Sequence, residues 1–148
     1  MSDSLLNLTA VYGMRAMATL SGLSPGETLN AADLAERTGV PQQYLSKVMR
    51  KLVLAKLVRS QRGPGGGFSL SRPAAQVRLA DVLAAIDHTP GPACAFGYDA
   101  CDPDNPCPLH PIWSRLQQGL EQWTGSCTFG DLLPLTPKAR TRARKPRK

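Results

Sequence analysis

The stretch NAADLAERTGVPQQYLSKVMRKLVLAKLVRSQRGPGGGFSLS, residues 30–71, decides the fold. Asn30 suits the N-cap of a short helix, AADLAERT, which Gly39 ends. Two residues later Pro41 fits the first turn of a second helix, PQQYLSKVMRKLVLA, with Leu45, Val48 or Met49, and Leu52 turned inward. Ala35 is small where the two helices must cross, and Val40 can plug the gap between them. Helix, tight glycine turn, helix is the helix-turn-helix signature, although any two packed helices of a small α-protein share this much.

The residues that follow narrow the choice. LVRSQ (57–61) and FSLS (68–71) alternate apolar and polar as two short strands, with RGPGGG (62–67) between them. Gly65, Gly66 and Gly67 can take positive φ and let a backbone come close to a ligand. Gly-rich loops also cradle phosphates, but the Lys-Ser/Thr pair of a P-loop is missing here. A hairpin directly after a helix-turn-helix reads as a wing. The expected class is therefore mainly α with a small β-hairpin wing, and the expected partner is DNA. Arg59 and Arg62 would reach a phosphate or a narrow minor groove.

On the N-terminal side, LLNLTAVYGMRAMATLSG (5–22) reads as an amphipathic helix with Leu6, Ala10, Gly13, Met14, Met17 and Leu20 on one face. LSPGET then breaks the pattern. On the other side, LADVLAAIDH (79–88) reads as a helix burying Leu79, Val82, Leu83 and Ile86, with His88 facing the helix dipole or solvent. PIWSRLQQGLEQWTGSC makes a last long helix with Pro111 in its first turn. Ile112, Leu116, Leu120 and Trp123 share one face, with Trp113 and Gln117 beside them. So wide an apolar face beyond the main core wants a partner, and a second copy of the chain is the expected one; folding back on its own domain is the alternative. TFGDLL closes the folded part.

Composition sets the outer limits. At 148 residues, 42% hydrophobic, 20% charged and only 5% aromatic, the chain is expected to be one domain, or one domain with an appendage, within the range of soluble globular proteins and packed mostly by aliphatic residues. No segment looks like a targeting or membrane signal, so the expected location is the cytoplasm. The net charge of +7 is local: the last eleven residues, KARTRARKPRK, hold seven cations and no acid. That leaves 11 of the 18 basic residues against 11 acidic ones in the body. A basic tail of this kind attaches to phosphates non-specifically or simply aids solubility.

ACAFGYDACDPDNPCPLH (93–110) carries three of the four cysteines. In a reducing cytoplasm they read as metal or redox chemistry before they read as staples. Six residues separate Cys94 from Cys101, five separate Cys101 from Cys107, and two separate Cys107 from His110. Thiolates suit iron–sulfur clusters and zinc. Structural zinc usually takes two tight knuckles, whereas only one pair is close here, so the wide arcs favour the bulkier cluster. A zinc site or a bare thiol switch is the alternative. Cys127 is a rival fourth ligand, or more simply a small buried residue at the end of the last helix. An enzyme or electron carrier is disfavoured: there is no nucleophile–base constellation, C-x-x-C pair or cofactor fingerprint, and electron transfer has no use for a wing.

Three stretches together, YLSKVMRKLVLAKLVRSQRGPGGGFSLSRP, the spaced cysteines, and CPLHPIWSRLQQGLEQWTGSCTFGDLL, make the chain resemble the Rrf2 family of winged-helix transcription regulators over residues 5–133. It is most similar to the branch that regulates through iron–sulfur clusters. The resemblance implies a homodimer that binds operator DNA, takes no small-molecule substrate and holds a cluster, 2Fe–2S before 4Fe–4S, near the dimer interface. It implies Cys94, Cys101 and Cys107 as thiolate ligands and His110 as the fourth. Some relatives use an acidic residue of the first helix instead; LTAVYG here has no carboxylate, which favours His110. DNA reading falls to Gln42, Gln43, Tyr44, Ser46, Lys47 and Arg50, with Arg59, Arg62, Gly65 and Gly66 in the wing. Ile112, Trp113, Leu116, Leu120 and Trp123 become the dimer interface. The implied divisions are a winged helix-turn-helix domain (1–90), a cluster-binding loop (91–110), a dimerisation helix with a short closing helix (111–134) and a disordered basic tail (135–148). The signal expected is redox state, nitric oxide or iron supply.

Overall fold

A computed structural model of the chain describes residues 6–88, 94, 96, 102 and 104–132. The first helix, α1 (Leu8–Ser21), begins three residues later than its apolar pattern suggests. Asn7 is extended, and its side-chain oxygen accepts the Ala10 N–H at 2.8 Å, which stops the helix there and leaves Leu6 ahead of the cap. Ala10, Gly13, Ala16, Met17 and Leu20 are buried along one face; Met14 is only half-buried.

Next come α2 (Ala31–Thr38) and α3 (Gln42–Leu54), the two helices read from the sequence. The Asn30 side chain accepts the Asp33 N–H at 2.9 Å and starts α2. Gly39, at φ +67°, ends it in the left-handed region. Its N–H donates to the Glu36 carbonyl and the Val40 N–H to the Ala35 carbonyl, the two bonds of a Schellman cap. Val40 is thereby driven into the core. Pro41 is the N-cap of α3, not a first-turn residue; its carbonyl takes the Tyr44 and Leu45 N–H groups. Leu45, Val48, Met49 and Leu52 face inward.

Strands β1 (Val58–Gln61) and β2 (Gly67–Leu70) pair antiparallel, Val58 opposite Leu70 and Gln61 opposite Gly67. Leu57 drops out of the first strand because its N–H returns to the Leu52 carbonyl at 3.0 Å, closing α3. Leu29 adds a one-residue third strand, exchanging both backbone hydrogen bonds with Phe68. The hairpin is thus joined to the residue just before α2.

The fourth helix, α4 (Leu79–Ala85), is shorter than the expected 79–88. Asp87 turns left-handed at φ +57°, and the His88 N–H donates to the Leu83 carbonyl, so the helix closes at its seventh residue. His88, at the end of the helix, is half-buried, and its Nε2 is buried with no hydrogen-bond partner. The long helix α5 (His110–Ser126) follows, and residues 127–132 then return to α4. Leu79 N–H donates to the Cys127 carbonyl (3.0 Å), Phe129 N–H donates to the Val77 carbonyl (2.9 Å), and Arg78 bridges Thr128. This strap stands where a short closing helix was expected, and it delivers Phe129 fully buried into the core. No helix among the described residues is long and apolar enough to cross a membrane.

Asp81 fastens the strap's partner. Burial raises its carboxyl pKa, but hydrogen bonds from the Arg78 guanidinium (2.9 Å) and backbone N–H (3.0 Å), with the Arg78 and Arg72 charges, outweigh burial and hold it below the ordinary value. The folded state therefore favours the ionised form. Its stabilisation is present above the ordinary carboxylate pKa of 3.8 and is lost as pH falls through the lower folded value. Asp81→Asn is expected to cost about 0.5–1 kcal/mol in urea unfolding at neutral pH and nothing in strong acid.

Candidate functional site

Two surfaces carry the candidate residues. The first is the outward side of α3 and the hairpin beside it. Gln42, Gln43, Tyr44, Ser46, Lys47 and Arg50 are all exposed there, because the helix spends Leu45, Val48, Met49 and Leu52 on the core. Tyr44 leans on Tyr12 of α1 (ring centroids 6.2 Å apart, planes tilted by 47°), which orients the ring at the edge of the helix. Ser46 Oγ is turned back to the Gln42 carbonyl at 2.9 Å. Among the described residues no ion pair engages Lys47, Arg50, Arg59 or Arg62; the recorded pairs are Lys51–Asp87, Arg72–Asp81 and Arg78–Asp81. Four exposed cations and two exposed carboxamides on α3 and the hairpin thus have no ion-paired carboxylate among the described residues.

The hairpin turn is built to stand out from the body. A side chain at Gly66 would place its Cβ 2.3 Å from the Gln61 carbonyl oxygen, so only glycine closes this turn. Thr28, which composition and spacing gave no reason to single out, donates its hydroxyl to the Gly65 carbonyl at 3.0 Å. With the Leu29–Phe68 pairing, this bond fixes the turn relative to α2 and α3. The Arg59 guanidinium rests on the Leu70 carbonyl at 3.4 Å, and Arg62 is exposed at the start of the turn. The site thus presents an exposed helix of polar and cationic residues with a cationic hairpin packed beside it.

The second surface is the cysteine loop and α5. Cys101 lies outside the described residues. Cys94 is buried, and its Sγ accepts the Phe96 N–H at 3.4 Å. Cys107 is half-buried, and its carbonyl accepts the His110 N–H at 3.0 Å, which places both one turn apart at the start of α5. His110 Nε2 lies 3.3 Å from Ser114 Oγ, while Nδ1 is buried without a partner. A buried nitrogen left open costs free energy unless something else fills it. No group of three or more His, Cys, Asp or Glu residues is assembled among the described residues. Cys127 is half-buried at the end of α5 with its Sγ directed to the Thr128 carbonyl, a local packing role.

Along α5, Ile112 (69%), Leu116 (51%) and Trp123 (46%) are exposed, as are Leu109 (44%) just before the helix and Phe96 (63%) in the loop. Trp113 and Leu120 are half-buried on a different side, with Thr124 the buried residue of the helix. The helix therefore has two apolar sides: one turned to its own chain and one left open.

The chain is similar to known proteins over most of its length. The family model "Rrf2: Iron-dependent Transcriptional regulator" matches residues 6–134. The HTH-type transcriptional regulator IscR of Vibrio atlanticus is 31% identical over 122 residues, covering 82% of this chain and 70% of its own. IscR of Cronobacter sakazakii is 30% identical, covering 82% and 75%. Among solved structures, CymR (YrzC), the global cysteine regulator of B. subtilis, superposes with a TM-score of 0.76 at 20% identity, covering 93% of this chain and all of that one. IscR of T. potens gives a TM-score of 0.69 at 23% identity, covering 90% and 89%.

Proposed function

Because the chain belongs to the Rrf2 family of transcriptional regulators, we propose that it binds operator DNA as a homodimer and senses redox state, nitric oxide or iron supply through an iron–sulfur cluster. The observation that carries the sensing half is the open, buried Nδ1 of His110 one turn from Cys107. That donor set, with Cys94 buried nearby in sequence and Cys101 between, joins soft thiolates to an imidazole, the chemistry a cluster accepts. Cys94, Cys101, Cys107 and His110 would hold it. When bound, such a cluster supplies an iron centre that oxidants, nitric oxide and iron shortage can alter or remove.

The chain's own residues supply the rest. Gln42 and Gln43 present carboxamides suited to adenine edges, and Lys47 suits guanine or phosphate. Arg50, Arg59 and Arg62 neutralise backbone charge. The open side of α5, Ile112, Leu116 and Trp123, pairs two copies so that two recognition helices meet a two-fold site. Trp113 and Leu120 support that surface from beneath.

The second reading, a thiol switch without metal, is favoured by the Phe96 N–H donated to Cys94 Sγ, which stabilises a thiolate by itself. Iron decides between them. Protein purified without oxygen is expected to show visible charge-transfer bands with about two irons and two sulfides per chain, or about four of each for the larger cluster. Cys107→Ala is expected to lose them. Colourless, iron-free protein under those conditions would remove the cluster, and a zinc assay would then separate a zinc site from the thiol switch.

A further inference from the structure

A neutral imidazole has one lone pair and one N–H, so a metal at one ring nitrogen leaves the other protonated and in need of an acceptor. In this chain the two nitrogens of His110 are already differentiated. Nε2 faces Ser114 Oγ, one turn further along α5, at 3.3 Å. Nδ1 is buried and has no partner. A hydroxyl oxygen has two lone pairs and can accept an N–H. The His110 backbone is held by its bond to the Cys107 carbonyl, so the ring is presented from the first residue of α5.

We propose that His110 coordinates iron through Nδ1, and that Ser114 is the positioning residue that takes the Nε2–H and fixes this tautomer. The inference rests on the cluster reading given above. It assigns to Ser114 a role that neither the cysteine spacing nor the Cys-x-x-His pattern indicates. Ser114 need not touch the cluster; it acts through His110. The outer partner of a ligating histidine typically changes metal retention by 10–100-fold when removed. His88, the other histidine, half-buried with its Nε2 buried and open, is the competing imidazole.

The test uses the full chain, purified without oxygen, with histidine 15N-labelled at either Nδ1 or Nε2. Hyperfine spectroscopy on the reduced cluster separates a directly bound nitrogen, which couples strongly, from the remote one. Strong coupling from the Nδ1 label, retained in His88→Gln and lost in His110→Ala, is expected. Ser114→Ala should release iron to a chelator roughly 10-fold faster and shift the reduction potential, while Ser114→Thr, which keeps the hydroxyl, restores both. Strong coupling from Nε2, from His88 or from no histidine overturns the assignment while leaving a cluster regulator intact. Protein that takes up no iron or sulfide overturns both.

Discussion

Phe129→Ala is expected to destabilise the protein by about 3–5 kcal/mol, the range for removing a buried aromatic ring without refilling the space. Phe129 is fully exposed to the core and not at all to solvent, and it heads the fully buried side chains in size. It arrives there on a strap whose backbone pairs Phe129 with Val77 and Cys127 with Leu79. The substitution therefore empties the core at the point where the end of α5 is fastened to α4. Urea unfolding measures the loss, and Phe129→Leu, which keeps most of the volume, should cost no more than about 1.5 kcal/mol. A loss below about 1 kcal/mol for the alanine variant would mean the strap is not part of the core.

Leu116→Glu is expected to leave a folded monomer whose operator affinity is lower by roughly 10²–10⁴-fold, the gain normally supplied by linking two binding modules. Leu116 is half exposed between Ile112 and Trp123 on the open side of α5, so a carboxylate there is tolerated in the single chain. In a dimer it would be buried against apolar partners without a counter-charge. Sedimentation reports the oligomeric state, and fluorescence anisotropy with labelled duplex reports affinity. A variant that still dimerises and binds normally would remove this face of α5 from the interface.

The helix-turn-helix was legible because each of its boundaries is written locally. Asn30 caps α2, Gly39 takes the one left-handed position, and Val40 follows as the plug. The wing was legible from RGPGGG between two alternating runs, and every residue assigned to DNA reading on α3 emerged on the exposed side. What was not legible depends on contacts across long stretches of chain or on an unusual residue in a familiar role. Asp87 occupies a left-handed position that a glycine would have announced, so the helix reading ran on to His88. The strap at residues 127–129 pairs through single bridges, which leave no periodic trace, and one phenylalanine in TFGDLL carries no pattern. The Thr28–Gly65 bond spans 37 positions. On α5 the apolar residues announced a wide face but not its division, with Trp113 and Leu120 turned toward the protein and Ile112, Leu116 and Trp123 away from it. At the candidate cluster site the resemblance suggested Cys94, Cys101, Cys107 and His110 as ligands; which nitrogen of His110 stays open, and that Ser114 faces the other, required the fold.

The cysteine loop joins the end of α4 to the start of α5, so the proposed ligands lie in sequence between the winged helix-turn-helix and the helix that would pair two copies. Filling or emptying the site can then bias the spacing of the two recognition helices and change operator affinity as a shift between two populations. The measurement that bears on this is a pair of binding isotherms, at fixed salt and without oxygen, on a duplex selected from a random pool by the cluster-loaded protein. Loaded and cluster-free protein are expected to differ in affinity by roughly 5–150-fold, the ordinary range of coupling between two sites on one molecule. Equal affinities for every selected duplex would contradict a cluster-sensing regulator, whatever iron the protein holds.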